Sequence, residues 1–314
     1  MTALELRGLS CDVRTATGWQ RAVDGVTLSL GKGRVLGLVG ESGCGKTLTA
    51  LCALGLLPEG ARRCGGDVVL EGATLDEKGL AAARGKAISM VFQEPLSALD
   101  PVARVGDQIA FGLSHHRRLS RAQAKSGAVE LLRELGVAEP EHAARAYPHQ
   151  LSGGMRQRAL IAAALAAEPR VLIADEPTTA LDVTVQAQVL ALLRGLVQSR
   201  GLALLVITHD LGVVAELCDE VLVMYAGRIV EAAPATALFE NPRHPYTRAL
   251  LAARPNPATP GQAPAVLPGT VAAPGRWPGG CAFRDRCPRA LESCAASVPP
   301  LNGSAEHRFA CFNP

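Results

Sequence analysis

Four short apolar runs, each closed by a polar residue or a turn, punctuate the first two thirds of the chain: Val35 to Val39, Ile88 to Phe92, Val171 to Ala174 and Leu204 to Thr208. They are too short for core helices and show almost no alternation, so they predict strands buried on both faces, as in a parallel sheet covered by helices. The residues that follow them are Gly40, Gln93, Asp175-Glu176 and His209. A parallel α/β sheet gathers its site in this way, at the carboxyl ends of its strands. Helical periodicity fills the gaps. Leu48 to Leu57 predicts a helix directly after the first strand, and Thr184 to Val197 predicts another that buries Val185, Val189, Leu192, Leu193 and Leu196 on one face. Between the second and third strands, residues 94–167 carry no strand signal and predict a helical insertion. Within it, Ser120-Arg121-Ala122-Gln123 matches a capping box for a helix running to Leu135 and ending at Gly136.

The turn after the first strand carries the most specific chemistry. Gly40-Glu41-Ser42-Gly43-Cys44-Gly45-Lys46-Thr47 fits G-x-x-x-x-G-K-[ST], and it has the strand before it and the helix after it that the pattern requires. Gly40, Gly43 and Gly45 let the backbone turn tightly and point its N–H groups inward, towards a polyphosphate at the positive end of the helix dipole. Lys46 is placed to reach the β- and γ-phosphates, and the Thr47 hydroxyl to ligate Mg²⁺. The expected ligand is a nucleoside triphosphate.

Two further stretches fit that chemistry. In the third strand, Asp175 is placed to hold Mg²⁺ directly or through water, and Glu176 to polarise an attacking water. Gln93 is a neutral group able to touch Mg²⁺ or water. Leu151-Ser152-Gly153-Gly154-Met155-Arg156-Gln157-Arg158 opens a helix continuing to Ala167, with Ser152 as cap and the glycines baring the first amides. That is a second anion site, expected too far from Lys46 to serve the same nucleotide.

Composition sharpens the picture in three places. A net charge of +3 is too small to argue for a nucleic-acid partner. Glu5 and Arg7 interrupt the stretch where a secretory leader needs apolar residues, and no run reaches the ~18 residues of a membrane span, so a soluble cytoplasmic chain is expected. Of the 21 prolines, 11 lie in the last 60 residues, and residues 255–278 read as an extended connector because such a stretch sustains neither helix nor central strand. Beyond it stand Cys281, Cys287, Cys294 and Cys311, spaced C-x5-C-x6-C-x16-C. That spacing lacks the close pair usual for zinc and matches no ferredoxin pattern, so it leaves zinc, a cluster and free thiols open. The other cysteines, Cys11, Cys44, Cys52, Cys64 and Cys218, are scattered and need no role beyond packing.

The phosphate loop, Gln93, Leu151-Ser152-Gly153-Gly154, Asp175-Glu176, Ala180-Leu181-Asp182 and Ile207-Thr208-His209-Asp210, in that order, resemble the nucleotide-binding subunit of ATP-binding cassette transporters. The resemblance implies a P-loop NTPase (RecA-like) α/β core with an α-helical subdomain. It also implies that two such domains sandwich two ATP, the Ser152-Gly153-Gly154 stretch of one meeting the γ-phosphate held by the other. In that likeness Glu176 is the general base, His209 contacts the γ-phosphate, Gln93 couples the site to the membrane partner, and Asp182 lies at the dimer seam. Trp19, in Gly18-Trp19-Gln20-Arg21, stands where the family stacks an aromatic on adenine.

The stretch Asn241 to Leu251, the Pro-rich connector, the cysteine module, Met90 to Pro95 and Leu99-Asp100-Pro101 resemble the oligopeptide and dipeptide importer ATPases, a group with nickel-uptake relatives. This likeness implies a cassette domain over 1–235, with its helical subdomain at about 94–167, and a C-terminal extension over 236–314. It implies a bacterial importer ATPase on the cytoplasmic face of the inner membrane, with two permease subunits, an extracytoplasmic solute-binding protein and a second cassette, commonly a distinct homologue. Some members hold a [4Fe-4S] cluster in a similar tail, which would make Cys281, Cys287, Cys294 and Cys311 its ligands, with Arg284, Arg286 and Arg289 offsetting thiolate charge. The competing readings are a cassette ATPase of DNA repair or translation and an iron–sulfur sensor. Relatives of the first kind usually carry coiled-coil insertions or two cassettes per chain, and neither is present.

Overall fold

Each of the four predicted strands is present, and their ends fall close to the expected positions. The structure is a computed structural model and describes residues 1–94, 98–179, 181–253 and 267–314. In chain order it contains β1 (Thr2–Thr15), β2 (Gly18–Gly31), β3 (Val35–Val39), α1 (Lys46–Leu54), β4 (Ala61–Leu70), β5 (Ala73–Leu75), α2 (Glu77–Ala83) and β6 (Ile88–Val91). Helices α3 (Val105–Arg117), α4 (Arg121–Glu134), α5 (Pro140–Arg145) and α6 (Gly153–Leu165) come next, followed by β7 (Val171–Asp175), α7 (Val183–Arg200) and β8 (Ala203–Thr208). The chain continues through α8 (Leu211–Leu217), β9 (Glu220–Tyr225), β10 (Arg228–Pro234), α9 (Ala235–Glu240), α10 (Pro245–Ala252), α11 (Ser293–Ala296), β11 (Asn302–Gly303) and β12 (Arg308–Phe309).

The chain divides into two compact units. The first comprises Met1–Leu4, Leu30–Val35 and Leu75–Ile207. Its strands run β8-β7-β6, and the two pairings are parallel, with Asp175 opposite Ile207 and Ala174 opposite Val91. Every residue of β7 is buried, which is why its sequence shows no alternation. Helices α3 to α6 fill the long interval between β6 and β7, and no strand occurs there among the described residues. The capping box at Ser120 forms as expected, and Gly136 takes the left-handed conformation just past the helix end, at φ 69°. Helix α7 buries Val189, Leu193 and Leu196 as expected, whereas Val185 and Leu192 are only half-buried and Leu190 and Val197 are buried in addition.

The second unit comprises Glu5–Ser29, Leu36–Thr74 and Thr208–Pro314. It holds β11-β12-β10-β9-β3, in which β3 and β9 are parallel and β10 is antiparallel to both β9 and β12. A separate four-stranded sheet has the order β2-β1-β4-β5. Its strands were not foreseen, although Val26-Thr27-Leu28-Ser29-Leu30 carries the necessary signal. Val26, Leu28 and Leu30 are buried while Thr27 and Ser29 face out, the period of two of a one-sided sheet.

The tail is tied to this second unit, because β12 continues the sheet with Phe309 opposite Glu231. Of the Pro-rich stretch, residues 254–266 lie outside the described residues, and 267–278 form neither helix nor strand. Among the described residues no helix is long and apolar enough to cross a membrane.

Candidate active site

In the second unit, the chain leaves β3 at Val39 and returns into α1 at Lys46. Gly43 and Gly45 take positive φ values of 81° and 107°, which favour glycine and explain two of the three motif glycines. Gly40 is required for a different reason, since a Cβ there would lie 2.3 Å from the Met224 carbonyl oxygen and 2.8 Å from Cys44 Sγ. The Lys46 ammonium is buried and donates to the Gly40 carbonyl at 2.7 Å and the Glu41 carbonyl at 3.0 Å. Ser42 and Thr47 are exposed, and Cys44 is buried behind the loop. Burial pushes the Cys44 thiol above its ordinary range, so it packs as a neutral group.

Glu41 is held by all of its polar groups. Its N–H donates to Tyr246 Oη at 2.8 Å, and its carboxylate takes a forked bond from Arg286, at 2.7 and 2.9 Å. Sequence reasoning assigned Arg286 to the cysteine thiols, and gave Tyr246 no role beyond its place in the Asn241 to Leu251 stretch. Trp19 is 41% exposed on β2, with the Arg62 guanidinium 4.3 Å from its ring centroid. His209 is exposed just after β8, and Asp210 caps α8 by accepting from Gly212 N at 2.6 Å.

In the first unit the ends of β6 and β7 bring two expected residues together. Gln93 Nε2 donates to Glu176 Oε2 at 3.3 Å, and the Thr179 hydroxyl donates to the same oxygen at 2.7 Å. Thr179 was not foreseen. Asp175 is 1% exposed at the end of β7, whereas Glu176 is half-buried. The backbone of Glu176 is left-handed, at φ 46°, a conformation that L-residues rarely adopt, and its N–H donates to the Ile207 carbonyl at 2.8 Å. Residues held in such conformations concentrate at active sites and ligand clamps.

Two helix starts also meet in this unit. Ser152 caps α6, accepting from Met155 N at 3.3 Å, and Asp182 caps α7, accepting from Val185 N at 2.9 Å. A Cβ on Gly154 would come within 2.6 Å of Val185 Cγ1, and one on Gly153 within 3.5 Å of Leu181 Cδ2. Ala180, the first residue of the Ala180-Leu181-Asp182 motif, and Pro95 lie outside the described residues.

The sequence is similar to that of known proteins along almost the whole chain. A family model described as ABC transporter matches residues 23–179, and one described as the oligopeptide/dipeptide transporter C-terminal region matches residues 230–294. A probable peptide ABC transporter ATP-binding protein of Sinorhizobium fredii is 47% identical over 98% of this chain and 94% of its own length. The chain belongs to the ABC transporter family. A putative peptide import ATP-binding protein of Brucella ovis is 46% identical over 97% of this chain and 94% of that protein. Among solved structures, the dimeric post-hydrolysis ATP-binding cassette MJ0796 bound to ADP and Pi superposes with a TM-score of 0.66 at 26% identity. It covers 74% of this chain and 98% of its own. As a member of the family the chain is an ATPase cassette with a P-loop core.

In this cassette the four tail cysteines share one neighbourhood without forming a closed ligand set. Among the described residues no three His, Cys, Asp or Glu side chains are gathered so as to hold a metal ion. Burial, together with one another's charge, pushes Cys281, Cys287 and Cys311 above the ordinary thiol range. Backbone hydrogen bonds from Phe283, Arg289 and Asn313 act in the opposite direction. Leu291 N donates to Cys294 Sγ at 3.4 Å and Asn313 N to Cys311 Sγ at 3.3 Å. Of the three arginines expected to offset thiolate charge, Arg289 favours the charged forms of Cys287 and Cys311. Arg286 is committed to Glu41, and Arg284 pairs with Asp285.

Proposed function

We propose that this chain is the ATP-hydrolysing subunit of a bacterial importer of di- and oligopeptides, bound peripherally to the cytoplasmic face of the inner membrane. Its partners are a second cassette that is a distinct homologue, two transmembrane permease subunits and an extracytoplasmic solute-binding protein. The observation that carries the reading is the combination, in one chain, of an ABC transporter match over 23–179 and an oligopeptide/dipeptide C-terminal match over 230–294. Residues 1–235 form the cassette domain in this reading, with a helical subdomain at about 94–167, and 236–314 form the extension.

The residues divide the work as follows. The loop Gly40, Glu41, Ser42, Gly43, Cys44 and Gly45 receives the phosphates through its N–H groups, other than that of Glu41, which Tyr246 takes; Lys46 neutralises their β- and γ-oxygens, and Trp19 stacks on adenine. Thr47, Asp175 and Gln93 hold Mg²⁺, whose chemistry is to neutralise charge developing on the phosphate oxygens. Glu176 takes the proton of the attacking water, Thr179 and Gln93 orient its carboxylate, and His209 meets the γ-phosphate. Ser152, Gly153, Gly154 and Asp182 face the nucleotide of the other cassette. Positioning and fixed charge supply most of the rate. The test is peptide uptake into proteoliposomes containing the whole transporter. Uptake that requires ATP and is lost with Glu176→Gln supports the reading, and uptake indifferent to either overturns it.

Cys281, Cys287, Cys294 and Cys311 are proposed as ligands of a [4Fe-4S] cluster. The chemistry of the donor set supports this, with four thiols in one neighbourhood and backbone N–H groups aimed at the sulfurs of Cys294 and Cys311. No step of ATP hydrolysis runs through it. Anaerobically purified protein is expected to hold about four iron and four sulfide per chain, lost in Cys287→Ser. Zinc, or no metal, overturns the cluster and leaves the ATPase untouched.

A further inference from the structure

Glu41 is the first variable position of the phosphate loop, and a carboxylate there sits beside residues that receive anionic phosphate oxygens. In isolation that charge opposes binding. In this structure it is cancelled by Arg286, whose fork reaches both carboxylate oxygens at 2.7 and 2.9 Å. Arg286 has only 8% of its side chain exposed and is itself fixed by the Pro268 carbonyl at 2.8 Å, the Gly269 carbonyl at 3.3 Å, and the rings of Tyr225 and Phe283. A forked, largely desolvated pair of this kind is stronger and more directional than a surface ion pair.

Two further struts reach the same loop. Tyr246, fully buried in α10, accepts the Glu41 N–H at 2.8 Å. Trp277 covers Gly227 so closely that a Cβ there would lie 2.5 Å from its Cη2 atom, and Gly227 N–H donates to the Cys44 carbonyl at 2.9 Å. Three residues of the C-terminal extension thus bear on the loop, Tyr246 and Arg286 directly at Glu41 and Trp277 through Gly227 at Cys44. A loop ordered in advance gives up less entropy when it closes on a phosphate chain.

The geometry points to Arg286 as a positioning residue for nucleotide binding: the cysteine-bearing tail braces the phosphate loop and neutralises Glu41, so tail and loop set nucleotide affinity together. This rests on the reading of residues 40–47 as the phosphate-binding loop. The tail is then part of the nucleotide site, and a change in its fold, including one caused by loss of whatever its cysteines bind, is read out as a change in affinity.

The experiment is titration of the full-length chain with a fluorescent ATP analogue, with circular dichroism checking the fold. Arg286→Ala is expected to bind about tenfold more weakly or worse, because it leaves the Glu41 charge uncompensated. Arg286→Lys keeps the charge without the fork and is expected in between. Adding Glu41→Gln to Arg286→Ala removes the repelling charge and is expected to restore most of the affinity. A merely structural arginine predicts the opposite, since the double variant has lost both partners. Lys46→Ala serves as the control. Full affinity in Arg286→Ala, with Lys46→Ala defective, overturns the bracing role and spares the loop assignment, as does a loss that Glu41→Gln fails to rescue. Full affinity in Lys46→Ala overturns the loop assignment itself.

Discussion

The Thr179 hydroxyl donates to Glu176 Oε2 at 2.7 Å, and it does so to an acid whose own backbone is forced into the left-handed region, at φ 46°. The sheet end thus fixes both the position and the direction of this carboxylate. Glu176→Gln keeps the shape and the hydrogen bonds while removing the base, so turnover is expected to fall about 10²–10⁴-fold with nucleotide affinity retained. Steady-state hydrolysis alongside a binding titration checks this, and near-normal hydrolysis would remove Glu176 from the role.

The same conformation predicts a stability order that runs against helix and strand intuition. At a left-handed position glycine avoids the Cβ clash, so Glu176→Gly is expected to be more stable than Glu176→Ala by about 1 kcal/mol, although both lack the base. Urea unfolding of the two variants measures the difference. An alanine variant as stable as the glycine one would show that the strain is absent.

Gly40→Ala is expected to damage the loop through its floor. The added methyl meets the Met224 carbonyl at 2.3 Å, and backbone on both sides must shift. Overpacking of this kind costs about 1–3 kcal/mol. Thermal unfolding and nucleotide titration should both register it, and unchanged values in both would show that the loop has room there.

Gly154 and Val185 pack the starts of α6 and α7 together, and their coupling is measurable. Gly154→Ala puts a methyl 2.6 Å from Val185 Cγ1, so the substitution is expected to destabilise by about 1 kcal/mol, a cost that Val185→Ala in the same chain relieves. A double-mutant cycle on unfolding free energy tests this. Strict additivity would contradict the contact.

The tail attachment should weaken in acid. His244 is buried at the start of α10, accepts from Tyr246 N through Nδ1, and packs against Phe283. Burial pulls it down from 6.5 to about 4, with Glu231 acting in the opposite direction. The folded state therefore holds it neutral at a pH where the unfolded chain would protonate it. Its contribution is full above pH 6.5 and is lost as the pH falls towards 4, at a cost of about 3 kcal/mol. Melting temperature measured between pH 7 and pH 4.5 is expected to fall less in His244→Asn than in the unaltered chain. Parallel curves would exclude His244 as the source.

What the sequence by itself determined is the part of the fold whose code is local. Val35 to Val39 and Val171 to Ala174 read as strands because both faces are buried, and the phosphate loop reads as a turn because three glycines and a lysine at fixed spacing have few other uses. Ser120 and Gln123 announce their helix because the capping box closes within four residues. The separate four-stranded sheet is legible in principle from Val26 to Leu30, where the alternation is short.

Only the tertiary structure decided the rest. Arg286 and Glu41 stand 245 residues apart, and no periodicity or motif links positions at that separation. The same holds for Gly154 beneath Val185 and for Trp277 over Gly227, which become partners only after whole elements have packed. The left-handed turn at Glu176 belongs to this class too, since nothing in the side chain of a glutamate favours it and the surrounding structure has to impose it. Local chemistry names the residues of the site, and long-range packing sets their geometry and recruits the tail to them.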